Sequence, residues 1–291
     1  MKKASMWRVA ALAVSLSVAL PMAAYAHRSW MLPSATVLSG NEPWVTVDAA
    51  VSNDLFYFEH NAMRLDNLAI IAPDGKTVDA ENKNSGKYRS TFDVKLSQKG
   101  TYKLTVVNDA LSASYKLDSE NKRWRGKAED FAKEIPAEAK DVNVSRMQSR
   151  MEVFVSSGKP TDTVLKPTGS GLELVPITHP NDLFAGDTSN FRFLLDGKPA
   201  TNIEVTLIPG GIRYRDQLGE IKVKTDKDGK FSVKWPTAGM YWMTASNGGE
   251  RMVPPVAGEV KAAAREPQPV GTLAKPIRRV SYSATLEVLQ P

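Results

Sequence analysis

The sequence predicts an all-β protein with two immunoglobulin-like or transthyretin-like β-sandwiches, a short helix and long loops. Short runs rich in β-branched and aromatic residues alternate apolar and polar positions, as in "WVTVDAAV" at 44–51. Turn sequences such as "PDGK" at 73–76 separate these runs at short intervals. Regular helical segments of the kind found in βαβ units do not alternate with them, and this spacing is typical of sandwiches.

Residues 27–160 are predicted to form the first sandwich. Residues 119–145 interrupt its pattern because they are strongly charged. They predict an excursion over the surface that holds at most a short helix at 128–134, which Pro136 would end. The predicted strands of this half are 44–51, 68–73, 88–96, 101–108, 112–117 and 151–160.

Residues 161–171, "TDTVLKPTGSG", are rich in Thr, Pro and Gly and predict a linker. Residues 172–291 then predict a second sandwich. Its "TDKDGKF" segment at 225–231 predicts a tight hairpin turn, because the glutamate that would close a calcium loop is missing. The predicted strands are 172–178, 189–197, 203–210, 220–226, 230–235, 240–246 and 280–290.

The first 26 residues resemble a cleaved secretion signal. Basic residues precede an apolar run at 9–23, and "AYA" at 24–26 offers small residues before a cut. The run is short for a membrane-spanning helix, and Pro21 interrupts it. We therefore expect cleavage after Ala26, a periplasmic protein, and no membrane span in the mature chain.

The composition excludes several kinds of chemistry. The 291 residues include no cysteine, which excludes disulfides, catalytic thiols and thiolate metal sites. The formal net charge is +6, but Lys2, Lys3 and Arg8 of the predicted signal supply half of it. Basic residues do not cluster with aromatic residues elsewhere, so nucleic acid is not an expected partner.

His27 is the first residue after the predicted cleavage site. Its α-amine and its imidazole would together form a six-membered chelate around a metal ion. An α-amine has a pKa near 8 and loses its proton at little cost near neutral pH. Nitrogen ligands of this kind suit Cu(II) and Ni(II), and one more imidazole would complete a histidine brace. The alternative is that a histidine stands first by chance.

His60 is the second of only three histidines in the sequence. It lies in "SNDLFYFEHNAM" at 52–63, which follows a predicted strand and predicts a loop at the end of the first sandwich. Asp54 and Glu59 in this loop are candidate ligands, or they orient the imidazole through a hydrogen bond. The alternative is a surface histidine beside solvated acids.

His179 is the third histidine and the third candidate ligand. It ends a predicted strand in "ITHPNDLFAGD" at 177–187, and Pro180 forces it into an extended conformation. It stands just after the predicted linker, so it could reach a site between the two sandwiches, where ligand sites often occur. Asp182 is a candidate ligand or hydrogen-bonding partner. The alternative is an ordinary turn histidine that packs on its proline.

Several stretches resemble the periplasmic NikM-like family of domain-of-unknown-function proteins, which is associated with nickel or cobalt transport. They include "AHRSWMLPS" at 26–34, "SRMEVFVSSGKPT" at 149–161 and "GLELVPITHPNDLFAGD" at 171–187. The second half also resembles carboxypeptidase-regulatory or transthyretin-like sandwiches through "TDKDGKFSVKWPTAGMYWMTAS" at 225–246. The resemblance implies an exported β protein near metal-uptake systems, and it supplies no enzymatic activity.

These observations predict a periplasmic protein that binds a divalent transition metal (Cu, Ni, Co or Zn) for capture or delivery. Its expected partners are the metal ion and a membrane metal transporter or an outer-membrane receptor. We expect a binding protein rather than an enzyme. One alternative is a copper oxidase or mono-oxygenase that uses the same histidine brace. The other is a sandwich that binds a protein or a glycan without metal.

Overall fold

The computed structural model describes residues 27–247 and 270–291. The predicted signal, residues 1–26, lies outside the described residues. The strands are β1 (Arg28–Pro33), β2 (Val37–Leu38), β3 (Trp44–Ser52), β4 (Asn61–Ala62), β5 (Leu68–Ile71), β6 (Thr77–Val78), β7 (Glu81–Ser85), β8 (Ser90–Lys95), β9 (Gly100–Leu117), β10 (Glu120–Gly126), β11 (Lys140–Ser157), β12 (Leu172–Pro176), β13 (Thr188–Leu195), β14 (Lys198–Pro199), β15 (Glu204–Pro209), β16 (Ile221–Lys224), β17 (Lys230–Lys234), β18 (Gly239–Asn247) and β19 (Ile277–Val288). The helices are α1 (Ala128–Glu134) and two 3-10 helices, Thr163–Leu165 and Ile212–Tyr214.

The prediction of an all-β fold is confirmed. Strands dominate the described residues, and the single α-helix covers the predicted residues 128–134. The hairpin turn at 225–231 is also present, where the Asp226 carboxylate accepts the backbone N–H groups of Asp228 and Lys230, both at 2.8 Å. None of the helices in 27–247 and 270–291 is long and apolar enough to cross a membrane.

The predicted surface excursion at 119–145 is wrong in most of its length. Residues 120–126 form β10, and β11 begins at Lys140, so the segment extends the sheet along both sides of β9. Trp124 explains the difference, because it packs edge-on against Phe131 of α1 with ring centroids 5.2 Å apart. Charged residues flank this tryptophan in the sequence, so the composition of the segment predicts an exposed loop and not a strand.

One ten-stranded sheet, the central sheet, runs through both halves of the chain. It contains β16, β15, β18, β19, β11, β9, β5 and β6 in that order, with β2 and β10 beside β11 and β9. The two halves join where β19 pairs in parallel with β11, from Ser145 opposite Ile277 to Val153 opposite Thr285. Backbone hydrogen bonds therefore connect the chain on either side of the predicted linker, residues 161–171.

Two smaller sheets cover opposite faces of the central sheet. The first small sheet contains β1, β3, β4, β7 and β8, and the second contains β12, β13, β14 and β17. Alternate residues of a strand point to opposite faces. Val153 and Val155 of β11 accordingly pack in the core beneath the first small sheet. Tyr282 of β19 packs in the core beneath the second small sheet and donates its hydroxyl to Glu152 at 2.9 Å.

A buried charge cluster lies beneath the second small sheet at the junction of the two halves. The Arg150 guanidinium stands 3.4 Å from carboxylate oxygens of both Glu152 and Glu173, and the three side chains are at most 9 % exposed. Burial raises the pKa of Glu173, but hydrogen bonds from Thr168 and Gly169 and the charge of Arg150 outweigh it and lower the pKa below its usual value. The Glu173 carboxylate is therefore held as an anion beside the Arg150 cation.

Candidate metal centre

The structure brings together two of the three predicted histidine ligands. The imidazole rings of His27 and His60 stack with centroids 3.7 Å apart and planes 13° apart. His27 is exposed and His60 is half-buried. The pair therefore lies at the surface and is accessible from solvent.

The pairing of three strands explains why these two histidines meet. β3 pairs with β1 on one side, where Arg28 lies opposite Ser52. At the same end β3 pairs with β4 on its other side, where Asn61 lies opposite Val51. His27 precedes β1 and His60 precedes β4, so both stand at one end of β3. Two inter-strand spacings, about 10 Å, separate such positions, and two imidazoles can meet across that distance.

The loop 53–60, which carries His60, is held by one of its own carboxylates. Glu59 Oε1 accepts the backbone N–H groups of Asn53 at 2.7 Å and Asp54 at 2.9 Å. The backbone of Phe56 has a φ of +62°, in the left-handed region that residues other than glycine rarely adopt. The predicted site residue Glu59 thus fixes the shape of the loop through hydrogen bonds to its backbone.

Asp54, another predicted site residue, faces the second half of the chain. Its Oδ2 lies 3.6 Å from Nη1 of Arg213, which belongs to the 3-10 helix at 212–214. The same guanidinium lies over the Tyr57 ring, 4.0 Å from the ring centroid. Asp54 therefore contributes to a contact between loop 53–60 and the second half.

Aromatic residues pack beside the end of β3 and the loop that carries His60. Trp30 is fully buried, and its indole Nε1 donates to Ser52 Oγ at 2.8 Å. The rings of Phe56 and Phe58 each lie 5.5 Å from Trp30 between centroids. This packing fixes the end of β3 and the loop that follows it in one arrangement.

Sequence reasoning did not identify Arg213 or Trp242 as residues near this site. Trp242 Nε1 donates to the carbonyl oxygen of Ser29 at 3.1 Å, and it packs in one cluster with Trp30 and Leu55. Trp242 lies in the stretch 225–246 that resembles transthyretin-like sandwiches, and both residues are distant from His27 and His60 in sequence. Ile208 and Trp242 of the second half pack in one cluster with Trp30 and Leu55, and this packing brings the two halves together here.

His179 lies away from the other two histidines. Its Nε2 is 3.1 Å from Thr101 Oγ1, which bonds Ser156 Oγ at 2.8 Å. The Ser156 N–H in turn donates to the carbonyl of Thr36, which follows β1, whereas His27 precedes β1. A six-residue strand spans about 20 Å. The predicted set of three histidines around one ion is therefore not assembled in the structure.

The surroundings of His179 are those of a structural residue. Its Nδ1 accepts the backbone N–H of Asn181 at 3.0 Å, so Nε2 carries the proton and donates towards Thr101 and the Thr161 carbonyl. Burial lowers the pKa of His179 below 6.5, although Thr161 and the charges of Asp162 and Asp182 act in the opposite direction. The predicted site residue Asp182 is exposed and acts on His179 only through its charge and a backbone contact.

Side chains alone do not complete a metal site in the described part of the chain. Within 27–247 and 270–291, no group of three or more His, Cys, Asp or Glu residues is placed to hold a metal ion. His27 and His60 offer two imidazole groups as candidate ligands. A third ligand of the predicted kind would have to be the α-amine of His27.

Solved structures give only weak similarities. The D0-D1 domain of intimin is 12 % identical, with a TM-score of 0.20, over 89 % of this chain and 97 % of that one. An ICAM-5 D1-D4 fragment is 8 % identical, with a TM-score of 0.20, over 90 % of this chain and 51 % of that one. A Salmonella alpha-2-macroglobulin mutant is 16 % identical, with a TM-score of 0.18, over 95 % of this chain and 16 % of that one. TM-scores this low carry no argument about function.

Sequence comparison is more informative about the family. No curated protein matches the chain. The family described as a domain of unknown function, DUF4198, matches residues 24–249, which is more than half of the chain. The match begins just before His27 and includes both histidines of the stacked pair. The chain therefore belongs to the DUF4198 family.

Proposed function

We propose that the mature protein binds a transition-metal ion through the α-amine and imidazole of His27 together with the imidazole of His60. The observation that carries the proposal is the contact between the two imidazole rings, 3.7 Å between centroids. Only three histidines occur in the sequence, and the fold brings two of them together at the surface. If His27 and His60 were unrelated surface residues, there would be no reason to expect their rings to be in contact.

The donor set suits a late first-row metal. Two imidazoles and one amine offer three nitrogen ligands, which favour Cu(II) first and then Ni(II) in the usual affinity order. Hard cations such as Mg²⁺ and Ca²⁺ prefer several oxygen ligands. Glu59 does not supply an oxygen readily, because one of its carboxylate oxygens already accepts two backbone N–H groups.

The stacked rings also have a consequence for binding. An imidazole nitrogen binds a metal in the plane of its ring, so two parallel rings have to open before both reach one ion. His27 is exposed, and its side chain has room for that rotation. Metal binding should therefore replace the ring contact with two metal–nitrogen bonds and hold the first residues of β1 in place.

The proposed role is capture or delivery of the ion in the periplasm. An exposed terminal residue can pass an ion to a second protein more easily than a buried ligand set can. A membrane metal transporter or an outer-membrane receptor is the proposed recipient, in line with the resemblance to proteins associated with nickel or cobalt transport. The α-amine requirement makes signal cleavage after Ala26 a condition of binding.

The test is a metal titration of protein that begins at His27, followed by thermal melting with Cu(II), Ni(II), Zn(II) and Co(II). Two matched controls are the same protein with one extra N-terminal residue, and His60→Ala. We expect a rise in Tm with one metal in the parent protein and a much smaller rise in each control, because each has lost one nitrogen ligand. An unchanged Tm with every metal would contradict the proposal. A rise that survives both controls would place the ion elsewhere.

A further inference from the structure

We infer that the second half of the chain completes the histidine site, with Arg213 and Trp242 as positioning residues for His60 and His27. This inference rests on the proposed metal binding at His27 and His60. Within 27–247 and 270–291, no hydrogen bond, ion pair or ring contact joins either residue to a histidine ring. Each instead holds the backbone or the loop from which one of the two histidines projects.

Trp242 holds the start of β1. Its indole N–H donates to the carbonyl of Ser29 at 3.1 Å, and the side chain is 9 % exposed. Ser29 stands two residues after His27, so this bond fixes the strand immediately behind the terminal ligand. The indole also packs in the cluster that contains Trp30 and Leu55.

Arg213 holds the loop that carries His60. Its guanidinium carbon lies 4.0 Å from the centroid of the Tyr57 ring, and its Nη1 lies 3.6 Å from Asp54 Oδ2. A guanidinium over an aromatic face and beside a carboxylate makes two directional contacts at once. Both contacts fall within the six residues before His60.

The segment that presents Arg213 is itself well fixed. Arg215 donates to the carbonyl oxygens of Pro209, Gly210, Gln217 and Leu218, so one guanidinium closes the segment 209–218 on itself. Gly210 lies directly against the loop, because an added Cβ would stand 3.0 Å from Cδ2 of Phe56. The loop and the segment that supports it thus fit together closely.

Such support should change affinity more than folding. Groups that orient metal ligands from outside the coordination sphere commonly change metal affinity by about 10–100-fold. Glu59 and Trp30 would still hold loop 53–60 from within the first half if Arg213 were removed. The Arg213 side chain is 45 % exposed, and an ion pair at that exposure adds little to the stability of the whole protein.

The experiment measures Cu(II) affinity by competition titration on full-length mature protein that begins at His27. Arg213→Ala should weaken Cu(II) binding about tenfold and change the Cu(II) electron paramagnetic resonance spectrum. Arg64→Ala is the matched control, since Arg64 is an exposed arginine close to His60 in sequence that pairs with Asp66 at 2.8 Å. It should leave both readouts unchanged.

A double-mutant cycle separates positioning from general stability. If Arg213 acts through His60, Arg213→Ala should have no further effect on Cu(II) affinity in a His60→Ala background. Trp242→Phe supplies a second arm, because it keeps a ring but removes the donor to Ser29. It should weaken binding in the parent and have no effect when an extra N-terminal residue precedes His27.

The outcomes distinguish the two proposals. If Arg213→Ala and Trp242→Phe both bind Cu(II) as tightly as the parent, this inference is overturned and the proposed function stands. A weakening by Arg213→Ala that persists unchanged in the His60→Ala background would also overturn it. A parent that binds no metal would overturn the proposed function and this inference together.

Discussion

The Nδ1 atom of His179 accepts the backbone N–H of Asn181 at 3.0 Å, two residues along the chain. Asn181 Oδ1 accepts the hydroxyl of Ser156 at 2.7 Å, and Asn181 Nδ2 donates to the carbonyl of Phe154 at 2.8 Å. Ser156 and Phe154 belong to β11. Through Asn181, the histidine connects the loop after β12 to the central sheet, and it does so in its neutral form.

This arrangement predicts acid sensitivity. Burial lowers the pKa of His179 below 6.5, so the unfolded chain takes up the proton first as the pH falls. The free energy of unfolding should therefore be highest above about pH 6.5 and should decrease as the pH drops towards the folded-state pKa. Urea unfolding at pH 7.5 and pH 5 measures this decrease.

His179→Asn is the control for that experiment, because asparagine can accept the Asn181 N–H but does not titrate in this range. The variant should lose less stability than the parent between the two pH values. All other ionisable groups are present in both proteins, so their contribution cancels in the comparison. An equal loss in parent and variant would show that other groups cause the acid sensitivity.

The buried hydroxyl of Tyr282 predicts a second measurement. It donates to Glu152 at 2.9 Å, and burial, together with the charge of Glu152, raises its pKa well above 10. Tyr282→Phe should lower the free energy of unfolding by about 2 kcal/mol, since the bond is made to a buried charged group. Chemical denaturation measures the change. Tyr88→Phe, at a 41 % exposed tyrosine, should change it by less than about 0.5 kcal/mol.

The third prediction concerns the stability of a substitution at Gly229. This glycine has a φ of +75°, and an added Cβ would lie 2.4 Å from the carbonyl oxygen of Phe193. Gly229→Ala should therefore destabilise the protein by more than about 3 kcal/mol, from backbone strain plus a backbone clash. Gly75 has a φ of +84° with nothing within 4 Å of an added Cβ, so Gly75→Ala should cost only about 1–2 kcal/mol. Equal losses of Tm in the two variants would rule out the clash.

The fourth prediction concerns the effect of Glu59 on Cu(II) binding at the candidate site. Glu59 Oε1 accepts the N–H groups of Asn53 and Asp54. Cu(II) affinity should therefore depend on the acceptor oxygen of this side chain and not on its charge. Glu59→Gln keeps an acceptor oxygen and should bind Cu(II) within about threefold of the parent, whereas Glu59→Ala should bind about tenfold more weakly. Competition titration gives both values. A strong loss in Glu59→Gln would instead identify Glu59 as a metal ligand.

Local patterns in the sequence predicted much of the secondary structure. Alternation predicted the strand at 44–51, and Pro136 placed the end of the helix at 128–134. The strand β10 was not predicted, because charged residues surround Trp124 and no local pattern shows that Phe131 covers the tryptophan. The predicted strands at 101–108 and 112–117 proved to be one strand, β9, since its partner β11 continues past the break in the pattern.

The sequence by itself determined the β class, the absence of thiol chemistry and the three histidines available to a metal. These follow from side-chain period and composition, which are local properties of the chain. Only the tertiary structure decided that β19 pairs in parallel with β11, that His27 meets His60, and that His179 is occupied elsewhere. Strand pairing depends on contacts between residues far apart in sequence, and no local pattern encodes which ends of which strands come together.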